Sequence, residues 1–148
     1  MKKLSETYKE LGIAFSFPIK IKDSDGNETY FENGDGFWYK HEYDTNGNET
    51  YFENDKGYWR KREYDTNGNE TYFEGSGGLW YKREYDADGN ETYYDNSCGF
   101  WWKREYDSNG NETYFENSDG MQKGTPPSQS CDGKVIEVDG KKYKLTEL

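Results

Sequence analysis

Tryptophan, tyrosine and arginine recur along this chain at one spacing, and these are the side chains that most often anchor binding surfaces. Trp38, Trp59, Trp80 and Trp101 stand 21 residues apart, as do Tyr43, Tyr64, Tyr85 and Tyr106. His41 is followed at the same interval by Arg62, Arg83 and Arg104, and Trp102 sets a second indole beside Trp101. An indole or phenol offers an apolar plate with a polar handle, while a guanidinium pairs with carboxylates or stacks on rings. All of these residues except His41 are candidate contacts for a partner.

Other chemistries find little to work with. The single histidine fills a slot that is arginine in the later copies, which makes it a sheet-surface residue rather than a base. No Ser/His/Asp set, metal-ligand cluster or phosphate-cradling glycine loop is present. Carboxylates are abundant, but they recur with the period, whereas a catalytic pair is a unique arrangement. The residues therefore predict no enzyme, no cofactor and no metal site. Asp86-Ala87-Asp88-Gly89-Asn90 looks like the start of a calcium loop, yet its glycine comes fourth, not sixth, and no glutamate stands twelfth. Turn chemistry explains it better. The sequon Asn-Glu-Thr, at Asn27, Asn48, Asn69, Asn90 and Asn111, reads as the exit of the same turn.

The elements that position these side chains follow from the repeat. Gly-Asn-Glu-Thr-Tyr occurs at residues 26–30, 47–51, 68–72, 89–93 and 110–114, so the chain is an array of one small unit. Each unit holds two strand-forming runs, such as residues 49–53 and 58–64. One turn is Asp-x-Asn/Asp-Gly-Asn and the other a loop ending in glycine. That pattern predicts an all-β fold, a twisted antiparallel hairpin meander of roughly 9–12 strands. Residues 23–120 contain 24 aromatics and one branched aliphatic, Leu79. The interior must then be aromatic, which suits a thin sheet and argues against disorder.

The period constrains the turns. Strand side chains alternate faces, so an odd shift of 21 requires one odd and one even connection per repeat. A three-residue loop ending in a left-handed glycine, alternating with one of two or four residues, meets that condition. Equivalent residues then form ladders about 10 Å apart, with aromatic pairs and Arg–Glu pairs alternating across the sheet.

The ends differ from the array. Residues 1–22 predict a short helix over 4–11, with Ser5 as its N-cap, and a leading strand over 16–22 that Pro18 confines to a sheet edge. Residues 121–133 read as a linker, and residues 134–148 as a β-hairpin turning at Asp139-Gly140. Both ends are expected to cap the array or to make a separate contact. The net charge is −11, made of +3 in residues 1–22, −15 in 23–120 and +1 in 121–148. So acidic a body disfavours direct nucleic-acid binding and attracts basic grooves. No apolar run reaches the length of a membrane span and no secretory signal opens the chain, which predicts a cytoplasmic protein without a membrane partner. A bridge from Cys98 to Cys131 would require the tail to fold back, and a reducing cytoplasm opposes it.

Glu-Tyr-Asp-x-Asn/Asp-Gly-Asn, at residues 63–69, 84–90 and 105–111, resembles the YD repeat of Rhs-type proteins. The resemblance implies tandem β-hairpins, and in large members a shell around a toxin. At 148 residues this chain is too short to enclose anything. Residues 112–121 look like the aromatic hairpin of choline-binding cell-wall repeats, which cage a quaternary ammonium, although the Gly-Trp pair of that family is missing. The functional expectation is a non-enzymatic β-repeat protein that binds a protein partner through its sheet face or its ends. One alternative is an acidic inhibitor from a phage or mobile element, a nucleic-acid mimic or anti-defence protein that fills a basic groove. The other is a module for cell-wall glycan or choline.

Overall fold

Aromatic and β-branched runs punctuated by glycine turns fold as a meander. The computed structural model describes residues 3–126, 135–138 and 141–144. A helix α1 (Leu4–Glu10) precedes β1 (Ile19–Lys22), β2 (Glu28–Glu32), β3 (Trp38–Tyr43), β4 (Glu49–Asn54), β5 (Trp59–Tyr64) and β6 (Glu70–Gly75). The series continues with β7 (Trp80–Tyr85), β8 (Glu91–Asn96), β9 (Trp101–Tyr106), β10 (Glu112–Asn117) and β11 (Gln122–Gly124). These strands form one antiparallel sheet of 11 strands in sequence order, open at both edges, with β1 at one edge as Pro18 predicts. A separate pair, β12 (Val135–Val138) and β13 (Lys141–Lys144), makes the expected C-terminal hairpin, with Val135 opposite Lys144. Its Asp139-Gly140 turn, residues 127–134 and Cys131 lie outside the described residues.

Three expectations at the ends change. Lys3, not Ser5, stands at the helix N-cap, because the Ser5 hydroxyl is drawn off to Glu32. The leading strand starts at Ile19 and not at residue 16. The linker begins later than residue 121, since Gln122–Gly124 pairs with β10 as β11.

The turns carry the main correction. Both are three-residue loops ending in a left-handed glycine, and they are built alike. In one, the Asp44 and Asn48 backbones pair, and Asp44 Oδ1 accepts from the Asn46 and Asn48 amides at 2.8 and 2.9 Å. In the other, Asn54 pairs with Tyr58, and Asn54 Oδ1 accepts from Lys56 and Tyr58 at 3.0 and 3.2 Å. Gly47 and Gly57 take φ of +85° and +73°, where a side chain would be strained. Two equal turns give an even period of their own.

The odd residue is a β-bulge. Glu63 faces Tyr72 and Tyr64 faces Glu70, so Thr71 is left out of the ladder. Thr29, Thr50, Thr92 and Thr113 are passed over in the same way. One extra residue against a partner strand is what a bulge supplies, and it restores each tryptophan to its face. Deleting Thr71 is therefore expected to change stability by less than about 1 kcal/mol, because no ladder pair is lost. Deleting Phe73 removes a ring stacked 5.0 Å from Tyr81 and is expected to cost at least ~2 kcal/mol. Urea unfolding of the two variants checks the difference.

Candidate functional site

Register divides the candidate residues between two faces. Residues directly opposite on neighbouring strands share a face, and Lys40 lies opposite Glu53, which lies opposite Trp59. The same chain of pairs places Trp38, Trp59, Trp80 and Trp101 on one side, here the tryptophan face. Arg62, Arg83, Arg104, Trp102 and Tyr43, Tyr64, Tyr85 and Tyr106 stand on the other, the arginine face.

The arginine face is spent on itself. Arg60 grips Glu49 through Nε and Nη2, at 2.6 and 2.9 Å, and Arg62 Nη1 reaches the same carboxylate at 3.0 Å. His41 Nδ1 lies 2.8 Å from Glu49 Oε2 on the same face. Burial pushes the Glu49 carboxyl up, but the Arg60 bond and charge together with the His41 contact outweigh it, and the net shift is downward. Arg62 Nε sits 3.0 Å from Glu70 Oε2 yet outside hydrogen-bonding geometry, so it is ion-paired without being bonded. Arg83 and Arg104 lie between the next carboxylates, Arg104 with its guanidinium 4.2 Å over the Trp102 ring. The Tyr64, Tyr85 and Tyr106 hydroxyls donate to the backbone carbonyls of Glu49, Glu70 and Glu91 at 3.1, 3.2 and 3.1 Å. These side chains hold strands together.

One departure from the repeat shows in this network. Tyr39, Arg60 and Tyr81 each donate to the glutamate 11 residues before them, Glu28, Glu49 and Glu70. Trp102 fills that slot in the next repeat and stacks on Tyr94 at 6.1 Å. Glu91 keeps the Arg83 guanidinium at 3.6 Å, and burial pushes its carboxyl up more than Arg83 and Arg104 pull it down. Trp102→Tyr is expected to supply the absent donor, to bring the Glu91 pKa down, and to stabilise by about 1 kcal/mol less any lost ring contact. Carboxyl titration by NMR reads the shift.

The tryptophan face is different. Along β2, β4, β6 and β10 a tyrosine and a glutamate two residues apart point the same way, and the phenol donates to the carboxylate. The distances are 2.9 Å for Tyr30–Glu32, 3.3 Å for Tyr51–Glu53, 3.2 Å for Tyr72–Glu74 and 2.9 Å for Tyr114–Glu116. Directly opposite each acid of the first four repeats stands the tryptophan: Glu32–Trp38, Glu53–Trp59, Glu74–Trp80 and Asp95–Trp101. Gln122 replaces the indole in the fifth.

At the first position this set is covered. Leu4, Tyr8 and Phe15 pack against Ile19, Tyr30 and Trp38, the buried cluster of the molecule. The Ser5 amide donates to Glu32 Oε2 at 3.0 Å, the Ser5 hydroxyl donates to its other oxygen, and the Leu4 amide donates to the Tyr30 hydroxyl at 3.1 Å. Lys3 Nζ donates to the Gly36 carbonyl at 2.8 Å. Glu32 is left 1% exposed and Trp38 6%. Burial first, with the neighbouring Glu32 charge, pushes the Tyr30 hydroxyl up to about 12, so it remains a donor at neutral pH.

Farther along, the Tyr51, Tyr72, Tyr93, Trp59, Trp80 and Trp101 rings are half-buried. Shallow depressions of about 510 and 390 Å³ lie beside Tyr72 and Tyr51. Lys40, Lys61, Lys82 and Lys103 sit over neighbouring rings at 5.5 to 6.0 Å. The tyrosine–carboxylate pairs escaped sequence reasoning, although the two-residue spacing inside Glu-Thr-Tyr-Phe-Glu was the signal for them. Among the described residues no cluster of His, Cys, Asp or Glu could hold a metal ion, and no helix is long and apolar enough to cross a membrane. Cys98 is an exposed free thiol.

The tandem antiparallel hairpins implied by the YD-repeat resemblance are present. No family model and no curated protein matches the chain. Among solved structures it is similar to the Tc holotoxin pore of Photorhabdus luminescens with a mutated TccC3, at 15% identity and a TM-score of 0.48. That match covers 68% of this chain and 5% of the other. It is also similar to the crystal structure of TcdB2-TccC3-TEV, at 15% identity and a TM-score of 0.47, over 80% of this chain and 6% of that one. The chain thus spans a small part of the length of either.

Proposed function

We propose that this chain is a non-enzymatic β-repeat interaction protein that binds a protein partner through its tryptophan face. The contrast between the faces carries the reading. On one side the arginines, tyrosines and glutamates are engaged with one another in ion pairs and strand-to-strand bonds. On the other a Tyr–carboxylate–Trp set recurs, covered at its first position by α1 and half-exposed at the next three. Half-buried aromatic rings beside polar groups are what hot spots are made of. The test uses the full chain as bait in host lysate, with captured proteins identified by mass spectrometry. Trp59→Ala with Trp80→Ala should abolish capture of the specific partner, while Arg83→Lys on the other face should retain it. Capture that survives the paired tryptophan change in a folded protein sinks the reading.

The charge distribution favours a second reading, an acidic inhibitor that fills a basic groove. Asp23, Asp25, Asp44, Asp65, Asp86, Asp88 and Asp107 all fall in the turns of one rim, and those turns contain no basic residue. A carboxylate row of this kind, stepping about 10 Å per repeat, supports charge mimicry. Binding through it should collapse between low salt and about 0.3 M and be competed by DNA. Salt-insensitive binding removes this reading.

A further inference from the structure

We propose that the set formed by Tyr72, Glu74 and Trp80 is a seat for a short helix of the partner protein, one whose first turn carries a serine or threonine. This rests on the reading of the tryptophan face as protein-binding and says what kind of segment lands there.

The seating of α1 supplies the chemistry. A carboxylate has room for about four hydrogen bonds, and Glu32 uses it to collect the Ser5 amide, the Ser5 hydroxyl and the Tyr30 phenol. Both Ser5 groups come from the first turn of a helix, where backbone amides lack partners within the helix itself. Leu4 then packs against the cluster of Ile19, Tyr30 and Trp38. In the third repeat the backbone register, the tyrosine, the acid and the indole are the same. The Glu74 carboxylate accepts the Tyr72 hydroxyl at 3.2 Å, and among the described residues that is the carboxylate's one hydrogen bond. A depression of about 510 Å³ opens beside it, with room for side chains of an incoming turn. An acid already held by a phenol and flanked by an indole is preorganised for a donor pair of this geometry.

The flank of the seat says how the partner helix must differ from α1. Beside Tyr30 and Glu32 the neighbouring strand presents Ile21 and Ile19. Beside Tyr72 and Glu74 it presents Glu63 and Lys61, paired to each other at 2.8 Å. The aliphatic wall that receives α1 is replaced by one positive and one negative group. A matching helix keeps the hydroxyl and one apolar side chain for Trp80, and carries polar residues where α1 turns Tyr8 toward the core. That difference also keeps α1 at its own end of the array.

The probe is a synthetic peptide of residues 1–15 in which Tyr8 is changed to glutamine, titrated into the intact 148-residue chain by NMR. Saturable binding below 1 mM is expected, weakened about tenfold by Glu74→Gln in the protein and by Ser5→Ala in the peptide, the loss of roughly one charge-assisted hydrogen bond. Glu74→Gln preserves shape, so the effect does not depend on a damaged fold. Three results overturn the inference: no saturable binding, binding indifferent to the peptide serine, or binding unchanged by Glu74→Gln. A partner captured through Trp59 and Trp80 but not displaced by excess peptide overturns the helix while leaving the face as the binding surface. Displacement of that partner by a chito-oligosaccharide and not by the peptide marks a glycan site and overturns it too. Retention of the partner by the paired tryptophan variant instead removes the face itself.

Discussion

A chain carrying Glu32→Ala is expected to lose about 3 kcal/mol of stability and to release α1 from the sheet. The carboxylate is 1% exposed and answers three donors at once. Truncation leaves the Ser5 amide, the Ser5 hydroxyl and the Tyr30 hydroxyl facing an apolar hole, and each buried orphan costs about 1–3 kcal/mol unless water enters. Burial pushes Glu32 up, but the Ser5 hydroxyl, the Ser5 amide and Tyr30 together bring it below the usual 4.5. Folding therefore favours the charged form, and this contribution is present above that pH and lost as pH falls through the lowered value. Glu32→Gln, which keeps one acceptor, should fall between. Urea unfolding reads the energy, and amide exchange at residues 4–10 reads the release. Unchanged exchange in the alanine variant would show that apolar packing alone holds the helix.

Acid should unfold the array cooperatively, and five aspartates should add to the pH dependence set by Glu32 and Glu49. Asp23, Asp44, Asp65, Asp86 and Asp107 all have carboxyls held below the usual 3.8, chiefly by the side-chain bond from the asparagine four residues on. A lowered folded pKa means stability that is complete above the unfolded value and lost as pH falls through the folded one. The thermal midpoint is thus expected to stay level from about pH 7 to pH 5 and to drop steeply below about pH 4. Glu91, whose carboxyl is raised, pulls the other way as one residue against five. The second turn supplies the control, since Asn33, Asn54, Asn96 and Asn117 close it through the same side-chain acceptor without titrating. Replacing all five aspartates by asparagine should make the fall below pH 4 shallower, leaving the part owed to Glu32 and Glu49. An equally steep fall in that variant would move the whole cause to Glu32 and Glu49.

Most of the architecture is legible in the period. Hairpin runs, glycine turns and the ladders of Trp59 and Arg62 all follow from alternation and turn chemistry, because those rules act over a few residues. Parity was legible as a demand but not as a solution: an odd residue can be absorbed in a loop or in a strand, and only the register shows that Thr71 absorbs it. The candidate site was half legible. Tryptophan and arginine stand out by type, but their separation onto opposite faces depends on that bulge. Ser5 reads as a cap by local rules. Its capture by Glu32, 27 residues away, is a tertiary contact that no local rule contains.

The passed-over threonine bears on how such a chain can change. Both turns are alike and the bulge closes each unit on the face where it began, so neighbours do not sense where one unit ends. A segment of the gene encoding 21 residues can be duplicated or lost in frame without disturbing the units on either side. Unequal recombination between near-identical copies then lengthens or shortens the row by about 10 Å a step. The reach of the protein is set by copy number, while point changes such as Trp102 or Leu79 individualise single units.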